Sequence, residues 1–316
     1  MSSRTKVNLY CSLISPENYS SEQDYYSFGP TYSHVKPETV EWVYGGGCMS
    51  EALKPLTQLP EEGIEVSLFT DKDIISPLVE TTKTRYKVAL LNECRSIHPF
   101  AYSWIIDRED KFDFIFTYDA DLLRRGKKYV KYKPVMAGSW IKEEDHQIYE
   151  KSKLGSIVVT EKGKDMIISP LARGHKLRHI VADLIKRRNY DIDLWGRAYK
   201  YFEKKTEPLE DYCFNISIIN ASHANYFNDN LTDCFRTGTI PIAWGCTNVG
   251  EYFNEKGILQ FHTGPELVEI LENLSPALYE DRLEHVKDNF ARVREYNRVD
   301  DNLFALMQKT LNLNEL

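Results

Sequence analysis

One feature constrains the fold more than any other: short runs rich in Val, Ile, Leu and aromatic residues alternate with stretches of helical periodicity. The runs fall at Lys6–Leu13, Thr39–Tyr44, Ile64–Phe69, Tyr86–Asn92, Phe112–Thr117, Ser156–Thr160, Ile192–Trp195, Cys213–Ile219, Thr239–Trp244 and Ile258–Phe261. Their apolar continuity suits strands covered on both faces, as in parallel sheets. Between them the pattern predicts helices over Pro99–Ile106, His175–Arg188, Asn228–Arg236, Pro265–Asn273 and Tyr279–Tyr296. In the His175–Arg188 stretch, Leu177, Ile180, Val181, Leu184 and Ile185 share one face. Alternation of this kind predicts an α/β fold with parallel sheets.

The polar stretch Lys142–Lys153 divides the chain into halves of similar size, each able to carry its own sheet. The expected organisation is a Rossmann-like domain over 1–145, a second over 146–290, and a final helical segment over 291–316 that could pack back on the first. Two such halves would face a shared cleft lined by strand C-termini, where ligands bind in open α/β sheets.

Composition removes several classes. Hydrophobic residues make up 42% and charged residues 28%, ordinary for a chain with a buried core. No apolar run approaches the roughly 18 residues of a membrane helix. The opening MSSRTKVNLYCSL lacks the apolar core of a secretory signal. The expected setting is therefore the cytoplasm, without a membrane partner. The six cysteines form no CxxC pair, which predicts buried free thiols rather than a zinc framework. A formal net charge of -7 argues against a protein that coats nucleic acid. Two local basic clusters stand out against it: Arg124, Arg125, Lys127, Lys128, Lys131 and Lys133 with Tyr129 and Tyr132 between them, and the stretch Arg173–Arg188.

The most informative segment is Tyr212–Gly245. It reads as strand, loop, helix, turn, strand, with the first strand ending at Asn220, a loop over Ala221–Asn225 and Gly238 as a natural residue beyond the helix C-terminus. A helix that opens at the end of a parallel strand presents free N–H groups and a positive dipole end, a seat for a diphosphate. Asp229 in its first turn could hold ribose hydroxyls.

This segment resembles the C-terminal motif of the α-1,3-fucosyltransferases, glycosyltransferase family 10. Thr237-Gly238-Thr239-Ile240-Pro241-Ile242-Ala243-Trp244-Gly245 keeps its last part nearly intact, Asn248-Val249-Gly250-Glu251-Tyr252-Phe253 follows as it often does in the family, and Asn220 and Tyr226 match. Upstream, Gly174-His175-Lys176-Leu177-Arg178 with Asp193-Leu194-Trp195-Gly196-Arg197 is similar to the preceding βαβ unit. Leu91-Asn92-Glu93-Cys94-Arg95-Ser96 falls where the family has a strand ending in a Glu-containing motif. The resemblance spans about Tyr86 to Phe261 and is that of a short viral or bacterial type.

It implies a GT-B-type pair of Rossmann-like domains and an inverting transferase that moves a sugar from a GDP- or UDP-sugar to an acceptor hydroxyl. No tightly bound cofactor or metal is implied. Glu93 is the candidate base that takes the acceptor proton. Arg178, His175, Asn220, Tyr226, Asn228, Asp229 and Asn230 are the candidate donor-binding residues. The motif is degenerate: Ile219 stands for the family's Glu, Ala221 for its Ser, and Asn228-Asp229-Asn230 for Thr-Glu-Lys. In the family that Lys faces the donor diphosphate, and Asn cannot carry its charge. The charge then rests on Arg178, with Arg173 and Lys176 as further candidates, so the donor need not be GDP-fucose. Asp119-Ala120-Asp121 has the letters of a metal-bridging motif but lies in the N-terminal half.

Three functional readings stay open on sequence. The first takes a glycan acceptor. The second takes DNA, with the tyrosine-interleaved basic stretch following the backbone and hydroxymethylated bases as acceptors. The third is an inactive relative that binds sugar or nucleotide.

Overall fold

A computed structural model describes residues 4–11, 30, 33, 35–46, 63–134, 137–161 and 172–313. The chain forms two compact units: Met1–Gly138 together with Arg298–Leu316, and Ser139–Asn297.

The sheet of the first unit contains β1 (Thr5–Tyr10), β2 (Val40–Gly46), β3 (Val66–Thr70), β4 (Tyr86–Leu90), β5 (Phe114–Thr117) and β6 (Tyr129–Lys131). Their order is β2-β1-β3-β4-β5-β6, and every pairing is parallel. β3 is buried at all five positions, which explains its unbroken apolar run. The short helices α1 (Leu78–Thr81) and α3 (Ala120–Leu123) and the longer α2 (Pro99–Asp107) connect these strands. Phe69, Ile74, Ala89, Tyr102, Ile105 and Phe112 centre its core. β6 lies inside the run read on sequence as a basic patch. Its Tyr129 is buried, and Arg125 beside it pairs with Glu109 at 3.4 Å.

The second unit carries β7 (Lys153–Val158), β8 (Ile192–Trp195), β9 (Tyr212–His223), β10 (Ile240–Cys246) and β11 (Leu259–Gln260), in the order β11-β10-β9-β7-β8, again all parallel. Its helices are α4 (Gly174–Arg188), α5 (Asp229–Arg236), α6 (Gly264–Glu272), α7 (Pro276–Glu280) and α8 (Leu283–Arg292). Ile157, Val181, Ile185, Phe214, Ile216, Ile242 and Trp244 form its core.

The units divide at 138/139 and 297/298 rather than at 145/146 and 290/291, and two elements also depart from the sequence reading. β9 does not stop at Asn220 but runs to His223, because a bulge in β10 after Trp244 brings Cys246 opposite His223. Gly245 makes that bulge possible: its φ is +132°, and a Cβ there would meet the Ile219 side chain at 2.1 Å. The expected helix over Tyr279–Tyr296 is broken. α7 closes with Asp281 N–H on the Ala277 carbonyl, α8 begins at Leu283, and Val293–Tyr296 is 3-10.

The last helix, α9 (Val299–Leu311), belongs to the first unit. The Asp301 carboxylate accepts the Glu38 N–H at 2.9 Å and the Thr39 N–H at 2.8 Å, and Asp300 accepts the Trp42 indole N–H at 2.9 Å. Both acids sit in the first turn of α9, where the helix dipole favours them. Among the described residues, no helix is long and apolar enough to cross a membrane.

Candidate functional site

Both sheets have a switch point where the strand order reverses, at β1/β3 in the first unit and β7/β9 in the second. Ligands gather at the carboxyl ends of the strands around such points. The donor-site candidates fall at the β7/β9 point, whereas Glu93 follows β4, beside β3 in the first unit.

In the second unit, α4 starts in direct contact with the end of β9. A Cβ on Gly174 would lie 1.9 Å from the Ile219 carbonyl oxygen, so only glycine lets the helix approach this closely. One turn on, Arg178 is buried at 6% exposure. Its Nε donates to the Ile218 carbonyl at 2.7 Å and its Nη2 to Asn220 Oδ1 at 3.1 Å, while Nη1 stands 3.4 Å from His175 Nδ1. Burial pulls the Arg178 pKa down to about 10, and the nearby Asp229 carboxylate opposes that shift. His175 is driven down to about 4 by burial and by the Arg178 charge, so it is a neutral ring beside the guanidinium.

α5 opens next to this group. Asn228 is its N-cap, accepting the Asn230 N–H at 3.1 Å. Asp229 in the first turn pairs with Lys205 at 3.3 Å, and Lys205 Nζ also reaches Asn230 Oδ1 at 3.2 Å. Tyr226 is fully buried just before the cap. The structure therefore brings Arg178, His175 and Asn220 into one cluster, with Tyr226 and Asp229 close enough to act on the Arg178 charge, and Asn228 and Asn230 on the adjoining turn.

Sequence reasoning missed two features here. Lys205 comes from the turn after β8, and nothing in Glu203-Lys204-Lys205-Thr206 distinguishes one lysine from the other. The second is the function of Asn248 and its neighbours. Asn225, at φ 61°, receives Asn248 Nδ2 at 2.7 Å and the Tyr252 hydroxyl at 2.6 Å on its Oδ1, and donates its own N–H to Asn248 Oδ1 at 2.6 Å. Phe253 stacks in a cluster with Phe227, Phe235 and Tyr296. The Asn248–Phe253 motif thus clamps the turn that delivers α5. Behind it, Arg236 and Asp233 are both fully buried and pair at 3.0 Å, with Arg236 also donating to the Tyr296 carbonyl.

A cavity of about 360 Å³ opens at the opposite, amino-terminal edge of this sheet, lined by Lys151, Lys153, Asp191, Asp193, Tyr212 and Pro276. It contains none of the residues above, and the edge it occupies is not where parallel sheets place their chemistry.

In the first unit, Glu93 stands just past β4, 8% exposed. The segment carrying it is fixed from every side. The hydroxyls of Tyr132, Tyr118 and Tyr102 donate to the consecutive carbonyls of Leu91, Asn92 and Glu93 at 2.8, 3.1 and 2.9 Å. Asp71 Oδ1 accepts both the Asn92 and Glu93 N–H groups at 2.8 and 2.9 Å. Asp71 holds the left-handed conformation at φ 45°, and its Oδ2 has no hydrogen-bond partner among the described residues. Burial, then the Glu93 charge, pushes its pKa well above the usual carboxylate range.

Arg95 does not pair with Glu93; it pairs with Asp119 through bonds of 2.9 and 3.2 Å. Asp119 also caps α3 by accepting the Asp121 and Leu122 N–H groups, so the Asp119-Ala120-Asp121 letters serve a helix start. Among the described residues, no group of three metal-capable side chains converges. Tyr132, like Tyr129, is buried, so the tyrosines of the basic run are core residues rather than a surface for stacking bases. In the Gly45-Gly46-Gly47 run, Gly45 and Gly46 end β2 and Gly47 lies outside the described residues.

No protein-family model matches the chain. A stretch of 60 residues is 33% identical to the α-(1,3)-fucosyltransferase FucT of Helicobacter pylori, covering 19% of this chain and 13% of that protein. The likeness of fold is much broader. A crystal structure of α1,3-fucosyltransferase with GDP matches 94% of this chain and 94% of its own at a TM-score of 0.52 and 13% identity. One with GDP-fucose matches 89% of this chain and 81% of its own at 0.50 and 15%. S. aureus TarM, solved with UDP, matches 77% of this chain and 55% of its own at 0.50 and 11%. The fold is thus the parallel two-sheet α/β fold of GT-B glycosyltransferases.

Proposed function

We propose that this protein is a glycosyltransferase that uses a nucleotide-sugar donor bound by its second unit, with a glycan hydroxyl as acceptor. One observation carries the reading. A nearly buried arginine, with no carboxylate bonded to it, is aimed at the carboxyl end of β9 beside the first turn of α5. A buried cation without a bonded counter-ion calls for an anionic ligand, and a nucleoside diphosphate is the anion that parallel α/β sheets hold at this place. The local identity with a fucosyltransferase and the fold shared with fucosyltransferases and TarM support the class.

In this reading the acceptor hydroxyl oxygen attacks the anomeric carbon as the bond from that carbon to the diphosphate oxygen breaks. The electron pair leaves with the nucleoside diphosphate. The hydroxyl proton passes to Glu93, whose backbone is fixed on both its N–H and C=O sides. Attack opposite to the leaving group inverts the anomeric centre. Arg178 stabilises the charge that grows on the diphosphate. Asp229 and Asn220 bracket the donor. Asn228 acts through the cap of α5, and His175 as a neutral neighbour of Arg178.

The test is turnover. The full chain, incubated with GDP- and UDP-sugars together with a panel of glycan acceptors, should release free nucleoside diphosphate from one of the donors as the acceptor is glycosylated, and Glu93→Gln should cut that release by roughly 10²–10⁴-fold. No release from any donor with any acceptor, in protein that still binds a diphosphate, would reduce the protein to an inactive binding relative.

A further inference from the structure

The first turn of α5 carries no cation of its own, since Asn230 and Leu231 follow Asp229. The structure supplies one from elsewhere in the chain. The turn after β8 is held in place by the Glu207 carboxylate, which accepts the Glu203 and Lys204 N–H groups, both at 2.8 Å. Lys151 clamps its far end, donating to the Leu209 and Glu210 carbonyls at 3.3 and 2.9 Å, and to the Thr237 carbonyl behind α5 at 2.9 Å. The result is a side chain of Lys205 that is only 14% exposed and directed at α5.

Lys205 has two bonds there, both long: 3.3 Å to Asp229 and 3.2 Å to Asn230. An ammonium has three donors, and the third has no partner among the described residues. Arg178, with five donors, bonds two protein oxygens and touches one ring nitrogen. The charges do not balance either. Asp233 is bonded to Arg236, and Asp229 then stands alone against both Arg178 and Lys205. A largely buried group with one surplus positive charge and unmatched N–H donors is arranged for an anion with several acceptor oxygens.

We infer that Lys205 is the second diphosphate-binding cation of the donor site, reaching the phosphates from the β8 turn and doing from there what a lysine at position 230 would do from α5. This rests on the donor reading proposed above. Asp229 then has two parts: it steers Lys205 before the donor binds and yields it to the phosphates on binding.

The test measures dissociation constants of GDP and UDP, and of guanosine and uridine, for the wild type, Lys205→Met and the double variant Lys205→Met/Asn230→Lys. Lys205→Met should weaken the preferred diphosphate by about tenfold to a hundredfold, the worth of a charge-assisted contact, and leave the nucleoside unchanged. The double variant should recover most of the loss, because position 230 already lies within bonding distance of the Lys205 ammonium. If Lys205→Met does not fold, the double variant, which restores the pairing with Asp229, takes its place and should bind the diphosphate. Unchanged diphosphate affinity in Lys205→Met, an equal loss for nucleoside and diphosphate, or no recovery in the double variant would overturn the inference. If the wild type binds neither diphosphate, the donor reading itself falls, a result distinct from these.

Discussion

The carboxyl ends of the two sheets are built on opposite plans. Around Glu93 the backbone is closed: three tyrosine hydroxyls and one Asp71 oxygen satisfy the carbonyls and N–H groups of consecutive residues. Around Arg178 the cluster is open, with more positive charge than negative and donors left over. A frame whose backbone groups are all bonded suits a single carboxylate that must be held for proton transfer, while an unbalanced cationic cluster suits a ligand that brings its own negative charge. The proposed division of labour between the units rests on this difference.

The sharpest way to break the comparison is at Glu93. Glu93→Gln should lower turnover by roughly 10²–10⁴-fold while leaving nucleotide affinity within about twofold. Loss of binding in place of turnover would move Glu93 into the donor site. Next in size, Arg178→Ala should weaken the bound nucleoside diphosphate by about a hundredfold, combining loss of a charged contact with unsatisfied Ile218 and Asn220 oxygens. Calorimetric titration reads this directly, and Arg178→Lys should restore only part, because one ammonium cannot serve both oxygens and the ligand as a planar fork does.

The frame can be probed without touching chemistry. Asp71→Ala removes the acceptor for two buried N–H groups and should cost about 1–3 kcal/mol in a denaturant titration. Asp71→Asn keeps an oxygen in the same place. Because burial and the Glu93 charge push the Asp71 carboxyl well above the usual carboxylate range, the amide should be close to wild type in both stability and turnover. A large loss in Asp71→Asn would show that the charge, not the hydrogen bonds, matters there.

The smallest effect concerns acid. Burial lowers His98, His146 and His175 to about 4 each, against about 6.5 in an unfolded chain. Between these values the unfolded chain binds more protons than the folded one, so stability rises with pH across that window and falls as pH drops from about 6.5 to 4. Replacing His146 by Gln should flatten that slope by up to one proton, measured as melting temperature against pH. An unchanged slope would mean that His146 titrates normally in the fold.

The fold class was legible because buried parallel strands leave short, unmixed apolar runs, and each of the ten runs corresponds to a strand. β6 escaped because its three residues lie in a run of lysines and arginines whose charge hides the alternation. The break between α7 and α8 escaped because the amphipathic pattern continues across the turn. Arg178 and Asn220 were readable as a pair only through the resemblance; no spacing rule joins residues 42 apart that meet across α4 and β9. Lys205 was not readable at all. Its role depends on the turn that Glu207 and Lys151 fix, and such nonlocal clamps leave no periodic trace. The same holds for Asn225 and Asn248, whose mutual bonds close a loop of unrelated letters.

The central claim is that the second unit holds a nucleoside diphosphate on Arg178. The most direct measurement is a calorimetric titration of the full chain with GDP and with UDP, repeated on Arg178→Ala. Saturable one-to-one binding of at least one of them is expected, with a clear preference over its nucleoside and a loss of about a hundredfold in the variant. No binding of either at millimolar concentration, or equal binding by wild type and variant, would contradict it.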